Sequence, residues 1–154
     1  MSESDIICQM KGCIFVIIGW QMLRSTSQSR RFKWFMLIGI FYAMTATILG
    51  AFAAHALRTQ FSDYQMHIFQ TGIFYQFIHS LALLFVGLIL WQSNTRILQV
   101  SGWLFIAGIL LFSGSLYLLS LMQIKAIGVV TPFGGVCFIF GWLLLAVGIY
   151  KNVS

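Results

Sequence analysis

Four stretches of this chain carry no Asp, Glu, Lys or Arg, and each is long enough to cross a lipid bilayer: residues 34–57, 64–92, 97–124 and 126–150. A hydrocarbon core about 30 Å thick needs roughly 20 apolar helical residues. Trimmed to their apolar cores, the stretches read Trp34–Ala54, Gly72–Trp91, Trp103–Met122 and Pro132–Tyr150. Helix is the conformation this requires, because in lipid every backbone N–H and C=O must be satisfied within its own segment. Barrel strands would alternate apolar and polar residues, and these runs do not. Charged residues make up 8% of the chain and hydrophobic ones 60%, whereas a soluble domain carries about a quarter charged residues. A small soluble core cannot hide that much apolar surface. The expected fold is therefore all-α: an integral membrane four-helix bundle formed by residues 32–151 as one domain, with the lipid bilayer as its first partner. The net charge of +6 does not make a nucleic-acid binder, since no basic face is available to phosphate. Composition also excludes a disordered chain and a disulfide scaffold.

Cationic side chains set the expected orientation. Arg24, Arg30, Arg31 and Lys33 precede the first span, Arg96 lies between the second and third, and Lys151 follows the fourth. The opposite side has Arg58 and Lys125. This asymmetry places both termini in the cytoplasm of a bacterial inner membrane. Trp34, Trp91, Trp103 and Tyr150 then mark the inner interface, where amphipathic rings sit well. Residues 1–31 form an atypical N-terminal extension. Its apolar stretch, residues 12–23, is too short to span and has the length of a signal-peptide core. Glu3 and Asp5 before it and the lack of an A-x-A site after it favour an interfacial segment or a misassigned start.

Helices in lipid associate where small residues let backbones approach. Gly134, Gly141 and Gly148 recur every seven residues in the fourth span. Gly39, Ala43, Ala46, Gly50 and Ala53 step along the first, and Gly102, Gly108 and Gly114 along the third. Intramolecular packing and a homo-oligomer interface on the fourth span both fit that pattern. Thr131-Pro132 suits a helix start, with Thr as N-cap and Pro in the first turn. Between spans one and two, Leu57, Phe61, Tyr64 and Ile68 form one helical stripe, and Ser62 with Gln65 resembles a capping box. This predicts an amphipathic helix in the outer interface that runs into the second span at Gly72.

No Asp or Glu lies in the four apolar cores, which weakens ion-coupled transport, a chemistry that places carboxylates in the membrane. The titratable candidate inside is His79, sharing a helix face with Tyr75 and Gln76. At 1.5 Å per residue His79 lies about 10 Å from the outer end of its helix and Tyr117 about 8 Å from the outer end of the next. Ser113 and Ser115 are somewhat deeper, and Thr45 and Thr47 lie near mid-depth. His55 closes the first span. His55, Tyr75, Gln76, His79, Ser113, Ser115 and Tyr117 thus gather in the outer half. They form either internal hydrogen bonds, each contributing about 0.6 kcal/mol, or a small ligand-binding pocket. A metal or haem site is not expected: His55, His67 and His79 are spaced by twelve residues, which turns each by about 120° from the last. Cys8 and Cys13 fall on the reducing side, and Cys137 reads as a small core residue. No nucleophile–base set and no phosphate loop stand out, so no cofactor is expected.

Four motifs in order carry a family resemblance: Gly50-Ala-Phe-Ala-Ala-His-Ala-Leu57, Thr71-Gly-Ile-Phe-Tyr-Gln-Phe-Ile-His79, Phe112-Ser-Gly-Ser-Leu-Tyr117, and Thr131-Pro-Phe-Gly-Gly135 leading to Gly141-Trp142. Over residues 33–150 the chain resembles the YgdD-like family of small, uncharacterised four-span inner-membrane proteins. That resemblance implies four spans and no particular activity. The family usually has Gly where Ala53 stands, and its members begin just before the first span, which makes the first thirty or so residues here extra. The motif residues coincide with the outer polar cluster. The leading functional expectation is a non-enzymatic structural or partner-associating membrane component, alone as a homo-oligomer or within a larger complex. The alternatives are a small oligomeric transporter or channel, and a lipid- or quinone-binding protein built around His79.

Overall fold

The structure, a computed structural model, describes residues 32–93 and 95–153. The reading of residues 1–31 as an extension, with its apolar stretch, lies outside the described residues. Four long helices follow one another: α1 Phe32–Leu57, α2 Asp63–Gln92, α3 Arg96–Met122 and α4 Thr131–Val153. All four are long and apolar enough to cross a membrane, with mean hydropathy of 2.0 to 2.1. No strand occurs among the described residues. The protein is an all-α, multi-pass membrane four-helix bundle.

Local chemistry sets the helix ends. The α2 start is a capping box: Ser62 Oγ accepts from the Gln65 amide at 3.3 Å, and Gln65 Oε1 accepts from the Ser62 amide at 3.0 Å. Two of the orphan donors of a helix start are thereby satisfied. α3 ends where Gln123 takes a left-handed conformation, φ 58°, and a 3-10 turn, Lys125–Val129, leads into α4. Pro132 sits in the first turn of α4, where it removes no needed donor.

Between α1 and α2 the expected amphipathic helix begins at Asp63 and runs into the second span with no boundary at Gly72. α2 runs unbroken for 30 residues from Asp63, about 45 Å at 1.5 Å per residue and longer than the hydrocarbon core. Nothing between Asp63 and Gly72 breaks a helix. Gly72 is instead a close-approach position, where a Cβ would stand 2.8 Å from the Tyr117 ring. The buried side of this first part is Phe69, packed with Ala53, Leu57, Phe61, Met66 and Tyr117, while Tyr64 of the expected stripe is exposed. The helices also outrun the trimmed apolar cores at other ends, because polar residues outside the hydrocarbon continue the same backbone ladder.

The main core joins α2, α3 and α4 through Leu83, Val86, Leu90, Leu98, Phe105, Ile109, Phe138 and Leu145. Its tightest seam is α3 against α4. At Gly148 a Cβ would meet Leu98, at Gly141 Phe105, and at Gly134 the backbone of Phe112. Two side chains of α3, Leu98 and Phe105, thus enter glycine notches of α4, and one further step of seven brings the Phe112 backbone itself against Gly134. At Gly108 the roles reverse, with Phe138 of α4 filling the notch. α1 packs more loosely: 17% of its most apolar window is buried, against 44% for α2 and for α3. Two π turns interrupt the α-helical ladder, Ala53–Leu57 at the end of α1 and Ile109–Ser113 in α3.

Candidate functional site

The polar residues of the spans form two nodes on α2, one helical turn apart. The first is Gln76, buried at 4% exposure. Its Nε2 donates to the Tyr42 carbonyl at 2.9 Å and to Thr45 Oγ1 at 2.8 Å. Its Oε1 accepts from the Tyr117 hydroxyl at 2.9 Å. An amide side chain offers two N–H donors and one carbonyl acceptor, so every group of Gln76 is engaged. Thr45 passes its own proton back to a backbone carbonyl of α1, Phe41 or Tyr42, each at 3.0 Å. One side chain thus ties α1, α2 and α3 together.

The second node is His79. Its Nδ1 lies 2.8 Å from the Tyr75 carbonyl, and a carbonyl only accepts, so Nδ1 carries a proton. The indole N–H of Trp142 donates to its Nε2 at 3.3 Å, and an indole only donates, so Nε2 carries a lone pair. These partners select the neutral Nδ1–H tautomer. The ring is stacked on Phe138, with centroids 3.5 Å apart and planes 8° apart. Tyr75, Phe105 and Trp142 surround it at 5.9, 5.8 and 6.1 Å. With both nitrogens engaged and 4% exposure, the imidazole in this state has no free position for a substrate proton.

The remaining expected site residues separate. Ser115 is buried; its hydroxyl lies 2.8 Å from the Phe112 carbonyl and 2.8 Å from Thr131 Oγ1, joining α3 to the start of α4. Ser113 is buried in the π turn of α3, and its Oγ has no hydrogen-bond partner. Tyr75 is partly exposed and stacks along His79. His55 is exposed at the end of α1 and does not join either node. The structure thus brings Gln76 to Tyr117 and His79 to Tyr75, but not the seven residues into one pocket. The glycines Gly39, Gly50, Gly108, Gly134, Gly141 and Gly148 lie at helix contacts of unequal closeness, from the backbone approach at Gly134 to 3.8 Å from Ile73 at Gly50.

Sequence reasoning did not assign Thr45, Trp142 and Phe138 to the cluster. Thr45 carried a signal, its mid-depth position. Trp142 and Phe138 carried none beyond being aromatic in an aromatic-rich chain. Further side-chain bonds link neighbouring helices: Ser101 Oγ donates to the Gly141 carbonyl at 2.7 Å, and Gln65 Nε2 to the Ser120 carbonyl at 2.9 Å. No group of three or more His, Cys, Asp or Glu able to hold a metal occurs among the described residues.

Comparison with known proteins gives a family. The chain is 46% identical over 121 residues to a UPF0382 membrane protein of Staphylococcus aureus (strain bovine RF122 / ET3-1), covering 77% of this chain and 97% of the relative. It is 41% identical over 120 residues to the UPF0382 membrane protein YwdK of Bacillus subtilis (strain 168), covering 77% of this chain and 98% of the relative. It is likewise 41% identical over 124 residues to a UPF0382 membrane protein of Staphylococcus haemolyticus (strain JCSC1435), covering 79% and 99%. No solved structure matches it. Residues 49–135, which contain both polar nodes except Tyr42, Thr45, Phe138 and Trp142, match the family model described as Protein of unknown function (DUF423). The chain therefore belongs to this uncharacterised membrane protein family.

Proposed function

We propose that the protein is a non-enzymatic, multi-pass component of a bacterial inner membrane that works by associating with a partner, either a second copy or a larger membrane complex. The YgdD-like resemblance and the cationic asymmetry of the loops support that membrane and cytoplasmic termini, with residues 32–151 as the membrane unit and residues 1–31 as an extension. One observation carries the reading: the groups best suited to chemistry are already engaged, the Gln76 amide and His79 Nε2 in hydrogen bonds between helices and His79 Nδ1 with the Tyr75 carbonyl of its own helix. The polar cluster then serves as internal glue, and the outward surface does the work. That surface is broadest on α1, where Leu37, Ile40, Phe41, Met44 and Ile48 are all more than half exposed.

Native mass spectrometry of the full chain, extracted gently from its own membrane, tests this. A defined homo-oligomer or a co-migrating protein subunit is expected. A lone monomer under every gentle condition would remove the reading. The competing idea, a transporter or a lipid- or quinone-binding protein using the cluster around His79, requires Trp142 to release Nε2. It would gain support if a mass of a few hundred daltons stayed bound in wild type and was lost in His79→Ala.

A further inference from the structure

Among the described residues, an open cleft of 600 Å³ lies on the outer half of the bundle, between α1 and α2. This is within the range of small-molecule sites, about 300–1,000 Å³. Its α1 wall is made of small residues, Ala46, Thr47, Gly50, Ala51 and Ala54. Thr47 turns its hydroxyl into its own helix, donating to the Ala43 carbonyl at 2.9 Å, so it does not need a partner in the cleft. At Gly50 a Cβ would meet only Ile73, at 3.8 Å. The opposite wall is Ile73, Phe74 and Phe77 of α2. From Ala46 to Ala54 the wall rises about 12 Å, close to the depth of one leaflet, half of a core about 30 Å thick.

Above this apolar floor the same two faces change chemistry in steps. On α2 the stripe Phe77, Phe74, Gln70, His67, Asp63 climbs at intervals of three and four residues, one helical face. Gln70 lines the cleft above Phe74, and His67 and Asp63 are exposed beyond it. Past the lining residues Thr47, Ala51 and Ala54, Arg58 directly follows α1 and is also exposed. Arg58 and Asp63 do not pair with each other or with another described residue. A cation and an anion thus stand unpaired just beyond the residues that line the cleft, one following α1 and the other opening α2. The order is that of a diacyl phospholipid: an apolar floor for an acyl chain, a carboxamide at the ester level, then a cation for the phosphate and a carboxylate for a positive headgroup.

We infer that this cleft binds one phospholipid with a zwitterionic ammonium–phosphate headgroup, of the phosphatidylethanolamine kind. Its acyl chain lies along Ala51 and Phe74, its phosphate on Arg58 and its ammonium on Asp63. The site is separate from the buried Gln76 and His79 nodes and does not depend on the partner-association reading.

The test is a titration of the purified, delipidated full chain in detergent with phosphatidylethanolamine and, separately, with phosphatidylglycerol of the same acyl chains, read by native mass spectrometry. One phosphatidylethanolamine per chain is expected, bound about tenfold more tightly than phosphatidylglycerol, the equivalent of about 1.4 kcal/mol. Ala51→Phe and Ala54→Leu, both at exposed positions, fill the cleft and should abolish that binding at unchanged thermal stability. Arg58→Gln and Asp63→Asn should each erase the preference between the two lipids. Equal binding of the lipids, tighter binding of phosphatidylglycerol, an unselective ladder of several lipids, or wild-type binding by both cleft-filling variants overturns the proposal.

Discussion

The α3–α4 seam and the α1–α2 seam begin from the same sequence signal, small residues at helical spacing, and end differently. On α4 each glycine of the seven-residue series meets α3 at the same period, the first two against the Leu98 and Phe105 side chains at Gly148 and Gly141 and the third against the Phe112 backbone at Gly134. Every notch is filled and the backbones close up. α1 and α2 approach tightly toward the Phe32 end of α1, where a Cβ on Gly39 would stand 3.0 Å from Leu84 and one on Gly87 would stand 2.6 Å from Met36. Toward the Leu57 end Gly50 meets only Ile73, at 3.8 Å, Ala51 and Ala54 are exposed, and a 600 Å³ cleft opens. A small residue in a membrane helix therefore permits close approach and does not enforce it. The partner's large residues decide whether a seam seals or a cleft stays open.

The strongest way to break this contrast is to add one methyl group at each seam. Gly134→Ala places a Cβ against the Phe112 backbone, which has no rotamer through which to yield. Overpacking of this kind costs about 1–3 kcal/mol, and the upper end is expected, as a lowered melting temperature in detergent. A wild-type melting temperature would mean that the α3–α4 seam is no tighter than its neighbour.

The next effect is on the node that holds the loosely packed α1. Gln76→Leu removes three hydrogen bonds, together about 2 kcal/mol at roughly 0.6 kcal/mol each. A double-mutant cycle with Tyr117→Phe should recover a coupling of about 0.6 kcal/mol, and zero coupling would show that the hydroxyl and the amide do not meet.

A smaller loss, about 0.6 kcal/mol, is expected for Trp142→Phe, which removes the indole donor from His79. Nitrogen NMR of labelled His79 sharpens the point. Wild type should show the Nδ1–H tautomer with a hydrogen-bonded Nε2 lone pair, and the variant should shift only the Nε2 resonance toward the unbonded position. An Nε2–H tautomer in wild type would contradict the arrangement around Trp142.

The smallest effect tests the open side. Gly50→Ala meets only Ile73 at 3.8 Å, and Ala is favoured over Gly in a helix by about 0.5–1 kcal/mol. The variant should be as stable as wild type or slightly more so. A clear loss of stability would mean that the cleft closes on this glycine in the membrane.

Much of the candidate site was legible before any coordinates. His79, Gln76 and Tyr117 stood out as polar residues at matched depth, and depth needs only the 1.5 Å rise and the span ends. The partners were not legible. Gln76 pairs with Tyr117 while His79, one turn away on the same helix, pairs with Trp142, because the rotation of α2 about its axis sends one toward α1 and α3 and the other toward α4. His55 shares a motif with the cluster yet stays exposed, in the π turn Ala53–Leu57 at the end of α1.

By itself the sequence determined the number of spans, their helical form and the capped start at Ser62, because hydrocarbon thickness, backbone satisfaction and capping chemistry act locally along the chain. Which face of each helix turns inward was decided only in the tertiary structure. In water an amphipathic stripe reveals the buried face, but in lipid both the core-facing and the outward-facing side chains are apolar. Without that contrast, the fit of Phe105 into Gly141 and the looser contact of Ile73 with Gly50 become visible only once the helices are side by side.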